Sequence, residues 1–126
     1  MKYLLDTHVA LWVLQGEHIS DNVLGILDDI TSKFYLSLAS AWEVAIKISI
    51  GKLEYIGGVK AFLDDIRAIG FRLLQIDEQC IELVEKLEFY HRDPFDRLLI
   101  ASAIATNMPL LTADQHLSEY NVKCIW

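Results

Sequence analysis

Residues Met1-Lys2-Tyr3-Leu4-Leu5-Asp6-Thr7-His8 begin with a short apolar run of β type that stops on a carboxylate. An acid set between Leu5 and a further apolar segment, in the middle strand of a sheet, is costly unless it is paired or metal-bound. Four more short runs of β type follow: Phe34-Tyr35-Leu36, Leu73-Leu74-Gln75-Ile76, Leu110-Leu111 and Val122 to Trp126. Helical patterns separate them, near 20–31, 40–50, 58–69, 78–89, 94–106 and 114–119. This alternation predicts an α/β fold on a parallel sheet of about five strands. The strands are mostly continuous apolar runs, as expected where helices cover both faces. Ser20, Asp77 and Asp93 stand where helix N-caps are expected, and Gly57-Gly58 and Gly70 punctuate the middle.

The length predicts that residues 1–126 form one domain burying roughly two-thirds of its unfolded surface. Hydrophobic residues make up 53% of the chain and the mean hydropathy is +0.29. That is more apolar side chain than so small a core can hide, which predicts a partner interface. A membrane span is not expected: the longest charge-free run, Leu98 to Ala113, contains Asn107 and Pro109 and falls short of about 18–20 residues. Asp6 and His8 interrupt what a signal peptide would need as its apolar region. Cys80 and Cys124 lack metal-ligand spacing and read as reduced thiols, which predicts a cytoplasmic protein. The net charge of −7, with pI about 4.9, argues by itself against a nucleic-acid partner. Acids that converge on divalent cations would invert that logic locally, and an acidic chain also suits a basic protein partner.

Four acids stand out by position. Asp6 ends the first strand, and Asp114 follows the fourth in Leu111-Thr112-Ala113-Asp114. Glu43 lies early in the helix after the second strand, and Asp96 lies in the first turn of the helix that Asp93-Pro94 opens. In open parallel sheets, ligands bind beyond the carboxyl ends of the strands where strand order reverses. If the first and fourth strands are neighbours there, Asp6 and Asp114 face each other and Glu43 and Asp96 can join them. Each acid also has a structural reading. Asp96 at the third helical position favours the helix dipole by about 0.3–1 kcal/mol. Glu43 precedes Lys47 by four residues, a helix ion pair of about 0.2–0.5 kcal/mol. Asp114 reads equally well as the cap of the short helix after it.

As a set of hard oxygen ligands the four suit Mg²⁺ or Mn²⁺, with Thr7, Ser40 and Thr112 as hydroxyls placed to orient carboxylates or metal-bound water. His8 and His91 are expected in supporting or surface roles. Lys47, Lys52, Arg92 and Arg97 could guide a phosphate backbone, with solvated surface charge as the default for each. Trp12 and Trp42 read as core or interface residues rather than base-stacking platforms.

Leu4-Leu5-Asp6-Thr7-His8, Ser37-Leu38-Ala39-Ser40-Ala41-Trp42-Glu43-Val44-Ala45-Ile46-Lys47, His91-Arg92-Asp93-Pro94-Phe95-Asp96-Arg97-Leu98-Leu99-Ile100-Ala101 and Leu110-Leu111-Thr112-Ala113-Asp114 together resemble the PIN domain. More narrowly they resemble VapC-type toxins of bacterial toxin–antitoxin pairs, along the whole of Met1 to Trp126. The resemblance implies a three-layer α/β/α fold and Mg²⁺- or Mn²⁺-dependent endoribonuclease activity. It implies Asp6, Glu43 and Asp96 as metal-binding acids with Asp114 as the fourth, while Asp93 looks like the helix cap. It also implies a homodimer, and a cognate antitoxin whose tail occupies the active-site groove. The chain departs from the pattern at none of the four acids.

Two other readings are open. A receiver-like phospho-acceptor domain has similar length and alternation, but it needs an acidic pair after the first strand, where Thr7 and His8 follow Asp6. It also needs a phospho-acceptor after the third strand, where Asp77 begins a helix, and a late lysine, which here is Lys123 inside the last strand. A PIN-like binding module with an idle site is the other reading, and the presence of all four acids counts against it.

Overall fold

The computed structural model describes residues Met1–Trp126. Along the chain run β1 (Lys2–Leu5), α1 (Thr7–Gln15), α2 (Asp21–Leu27), β2 (Lys33–Ser37), α3 (Leu38–Ser49), α4 (Gly58–Ala68) and β3 (Arg72–Leu74). Then come α5 (Glu78–Lys86), α6 (Pro94–Thr106), β4 (Leu110–Leu111), a 3-10 turn (Gln115–Glu119) and β5 (Cys124–Ile125). The strands form one parallel sheet in the order β3-β2-β1-β4-β5. The chain thus adds strands to one side of β1, then returns to add β4 and β5 on the other. A receiver-like domain would carry the order 2-1-3-4-5.

Adjacent strand residues point to opposite faces, and each face has its own core. Leu5, Leu36 and Leu111 pack with Val9, Val23, Val44, Phe62 and Ile66, beneath the first four helices. Leu4 and Leu110 pack with Leu99, Ile100, Ala103, Leu117 and Tyr120, beneath α6 and the 3-10 turn. The result is the three-layer α/β/α arrangement. No helix is long and apolar enough to cross a membrane.

All five expected strands are present with shifted ends: the third starts one residue early and runs Arg72–Leu74, without Gln75 and Ile76, and the fifth is only Cys124–Ile125. Asp77 and Ser20 cap their helices by accepting the N–H groups of Cys80 and Val23 at 3.0 and 3.2 Å. One element lies outside the predicted helical segments. α1 begins directly after Asp6, and its sequence Thr-His-Val-Ala-Leu-Trp-Val-Leu-Gln is apolar on most sides, so it lacks a helical stripe. It is helical because Val9, Ala10 and Leu11 are buried against the sheet and neighbouring helices. Gly16 ends it at φ +74°, donating to the carbonyls of Trp12 and Val13. The segment expected as a final helix over 114–119 is the short 3-10 turn.

Candidate functional site

Parallel pairing brings the carboxyl ends of β1 and β4 side by side, with Leu5 opposite Leu111. The Asp6 N–H donates to the Leu111 carbonyl at 3.0 Å, so Asp6 leaves the sheet at the point where strand order reverses. One residue past β4, the Thr112 hydroxyl donates to Asp6 Oδ2 at 2.7 Å and accepts the Asp114 N–H at 3.0 Å. Thr112 is fully buried and Asp6 is 8% exposed, so this join is shielded from water. Asp114 then caps the 3-10 turn, its Oδ1 accepting the His116 N–H at 3.0 Å. Asp6, Asp114, His8, Trp12 and Ala113 line an open cleft of about 400 Å³.

The other two acids approach from helix N-termini. Ser37, at the end of β2, caps α3 by accepting the Ala39 N–H at 3.1 Å, which sets Glu43 in the second turn. Glu43 pairs with Lys47 at 3.0 Å, so its structural reading holds geometrically. Asp93 caps α6, accepting the N–H groups of Phe95 and Asp96 at 2.8 and 3.1 Å, with Pro94 at the first helical position. That leaves the Asp96 carboxyl free of the cap. Glu43 and Asp96 do not line the cleft shared by Asp6 and Asp114.

Charge links the four. Burial, and after it the charges of Asp93, Asp6, Glu43 and Asp114, together push the half-buried Asp96 carboxyl up to about 6. Burial also raises Asp6; the Thr112 hydroxyl and His8 oppose that, and the charge of Glu43 reinforces it. Asp96 therefore feels the charge of the other three and Asp6 that of Glu43, and only Lys47 forms an ion pair with any of the four. No three of the chain's His, Cys, Asp and Glu side chains are gathered closely enough to hold an ion as they stand. The donors are hard carboxylate oxygens in a mutually repulsive field, a set whose chemistry fits Mg²⁺ or Mn²⁺.

Two expectations about supporting residues need correction. Thr7 and Ser40 do not bond a carboxylate. They bond each other, Thr7 Oγ1 donating to Ser40 Oγ at 2.8 Å, which pins the start of α1 to α3. Of the three hydroxyls, Thr112 alone holds an acid. Arg97 is not surface charge: it is 5% exposed, and its guanidinium donates to backbone carbonyls. His91, expected in a supporting or surface role, is partly exposed, with Nε2 at 3.0 Å from the His116 carbonyl and the ring beside Tyr120. Trp12 packs against Trp126 and the core, whereas Trp42 is 59% exposed and meets Phe95 edge to face at 5.1 Å. Reading the sequence missed Tyr120 and took Arg97 for solvated charge that could guide a phosphate backbone. A signal existed for Arg97, since it shares a helical face with Ile100 and Ala101, an apolar stripe no solvated arginine should join. Tyr120 carried none.

The fold and acids define an α/β protein with Asp6 and Asp114 joined through Thr112 at the switch point of a parallel sheet. The PIN domain family matches residues 3–123, and the chain belongs to that family, whose members are generally nucleases. No curated protein matches it. Among solved structures it is similar to VapBC2 from Rickettsia felis bound to a DNA fragment from its promoter, at 16% identity and TM-score 0.74, covering 99% of this chain and 98% of that one. It is also similar to VapBC-1 from nontypeable Haemophilus influenzae, at 16% identity and TM-score 0.71, covering 99% and 97%. FitAcB from Neisseria gonorrhoeae follows at 20% identity and TM-score 0.67, covering 100% and 97%. At these identities the likeness is one of fold.

Proposed function

We propose that this protein is a VapC-type toxin: a cytoplasmic endoribonuclease that depends on Mg²⁺ or Mn²⁺, works as a homodimer and is held in check by a cognate antitoxin. The observation that carries the reading is the Asp96 carboxyl, raised to about 6 by burial and by the charges of four acids, including Asp6, Glu43 and Asp114. Such a field is unfavourable unless a cation joins it. Asp6, Glu43, Asp96 and Asp114 would hold the metal. When bound, a divalent ion of this kind activates water at neutral pH and offsets the charge that develops on a phosphodiester under attack. The protein's own contribution is placement. Thr112 fixes Asp6, the Asp93 cap presents Asp96, and Lys47 limits the swing of Glu43. The antitoxin part of the reading is supported by the similarity of fold to solved structures named VapBC and FitAcB.

The test is RNA cleavage by the purified chain with chelator, then with Mg²⁺, Mn²⁺ or Ca²⁺ restored. Cleavage should vanish in chelator and return with Mg²⁺ or Mn²⁺. Ca²⁺, larger and geometrically permissive, should bind and support little turnover. Full activity in chelator would sink the metal mechanism. The second reading is a PIN-like binding module with an idle site, favoured by the Glu43–Lys47 pair and the capping role of Asp114. Mn²⁺ binding with no cleavage of any RNA offered would select it.

A further inference from the structure

Arg97 brings a full charge into the interior with no acid beside it. Its Nη1 donates to the carbonyls of Glu88 and His91 at 3.0 and 3.3 Å, and to the Tyr120 hydroxyl at 3.5 Å. Its Nη2 donates to the carbonyls of Val84 and Leu87 at 2.9 and 3.3 Å. The ring of Phe89 covers the guanidinium, with its centroid 4.1 Å away. Tyr120 completes the knot: its hydroxyl donates to the Glu88 carbonyl at 2.6 Å and accepts the His91 N–H at 3.0 Å.

An apolar side chain of similar volume would fill this space without the cost of burying a charge. What the guanidinium adds is direction. Its planar fork can satisfy several carbonyls at once, and here they belong to the end of α5 and the loop that leads to α6. The ends of the knot are informative. Asp96 immediately precedes Arg97, and Asp114 caps the 3-10 turn that ends at Tyr120. The backbone segments carrying the two acids are therefore tied together through a buried, fully hydrogen-bonded contact rather than across solvent. No buried side-chain nitrogen or oxygen in the chain lacks a partner, so the knot is complete as built.

Resting on the metal-nuclease reading, we propose that Arg97 and Tyr120 are positioning residues that hold Asp96 and Asp114 at a fixed separation. Neither touches the substrate or the metal. They act by fixing the α5–α6 loop against the turn after β4, so that the two carboxylates meet a cation without first paying to order their own backbones.

The experiment measures Mn²⁺ affinity by calorimetry, together with kcat and KM for RNA, in Y120F, R97K, D96N and Y55F. Y120F removes one hydroxyl and keeps the ring. R97K keeps the charge and loses the fork. Y55F is the control, because Tyr55 also spends its hydroxyl on a hydrogen bond, to Asp65 at 2.5 Å, outside the acid cluster. Y120F and R97K should each weaken Mn²⁺ by about tenfold and lower kcat with KM unchanged, while Y55F leaves Mn²⁺ affinity at the wild-type value. If R97K fails to fold, Y120F alone decides. Wild-type Mn²⁺ affinity in a folded Y120F, beside a D96N that has lost Mn²⁺, would overturn the positioning role and leave the metal site standing. Wild-type Mn²⁺ affinity in D96N would overturn the metal site and the positioning role together.

Discussion

At the scale of single residues the most informative side chain is Asp96. Its carboxyl is raised from the ordinary value of 3.8 to about 6, so folding favours its neutral form. The stability it contributes is therefore present below the unfolded value and is lost as pH climbs through about 6. In chelator, the melting temperature should fall between roughly pH 4 and pH 7, by an amount equivalent to about 1 kcal/mol once the group's partial exposure is discounted. Asp96→Asn should flatten that dependence, abolish RNA cleavage, and leave the metal-free protein at pH 7 as stable as the wild type or more so. A variant that stays active, or one that unfolds, would make Asp96 a structural acid of the helix start. Saturating Mn²⁺ should reverse the wild-type slope, since binding to the folded state alone stabilises it and requires ionised carboxylates.

At the scale of elements, the sequence was readable wherever period and punctuation agreed. The five apolar runs marked the strands, and Asp93-Pro94 marked the start of α6 as the capping geometry has it. Asp6 and Asp114 could be paired because one rule about parallel sheets, applied to strand ends, needs only that β1 and β4 be neighbours. α1 was illegible for a physical reason: a nine-residue helix buried on most sides shows no polar face, and periodicity cannot separate it from a continued strand. The Thr7–Ser40 bond and the Arg97–Tyr120 contact were illegible because partners 33 and 23 residues apart leave no trace in local pattern. Two substitutions test how these elements are closed. Gly16→Ala should cost about 1 kcal/mol in urea unfolding, because nothing crowds a Cβ there and the penalty is that of φ +74° alone. Asp93→Ala should cost about 1 kcal/mol through the lost cap, with part of it returned at neutral pH as its repulsion of Asp96 disappears. A Gly16→Ala variant as stable as the wild type would mean that the end of α1 relaxes out of the left-handed conformation.

At the scale of the whole molecule, an acidic chain with large apolar side chains in water is expected to have partners. Trp42, Phe89 and Tyr90 are 59%, 76% and 53% exposed, and Ile50 adds another 58%. Trp42 and Phe95 lie one residue before Glu43 and Asp96, so apolar surface borders the acids in sequence and the two rings touch in space. Most homo-oligomers close as two-fold dimers, and light scattering of the purified chain at micromolar concentration should give twice the 14.4 kDa of the chain. A monomer there would refute the dimer. The antitoxin prediction follows from charge. With a net charge of −7 and an Asp96 carboxyl raised in part by the charges of Asp6 and Glu43, a partner that lays an Arg or Lys among these three acids neutralises the same repulsion a metal would. Partner and metal then compete for one set of oxygens. Titrating the product of the adjacent gene into the Mn²⁺-loaded protein should release Mn²⁺ in step with the loss of RNA cleavage, while the melting temperature rises. Tight binding that leaves both Mn²⁺ and cleavage untouched would mean that the partner sits elsewhere on the surface, and that the repelling acids play no part in how it recognises this chain.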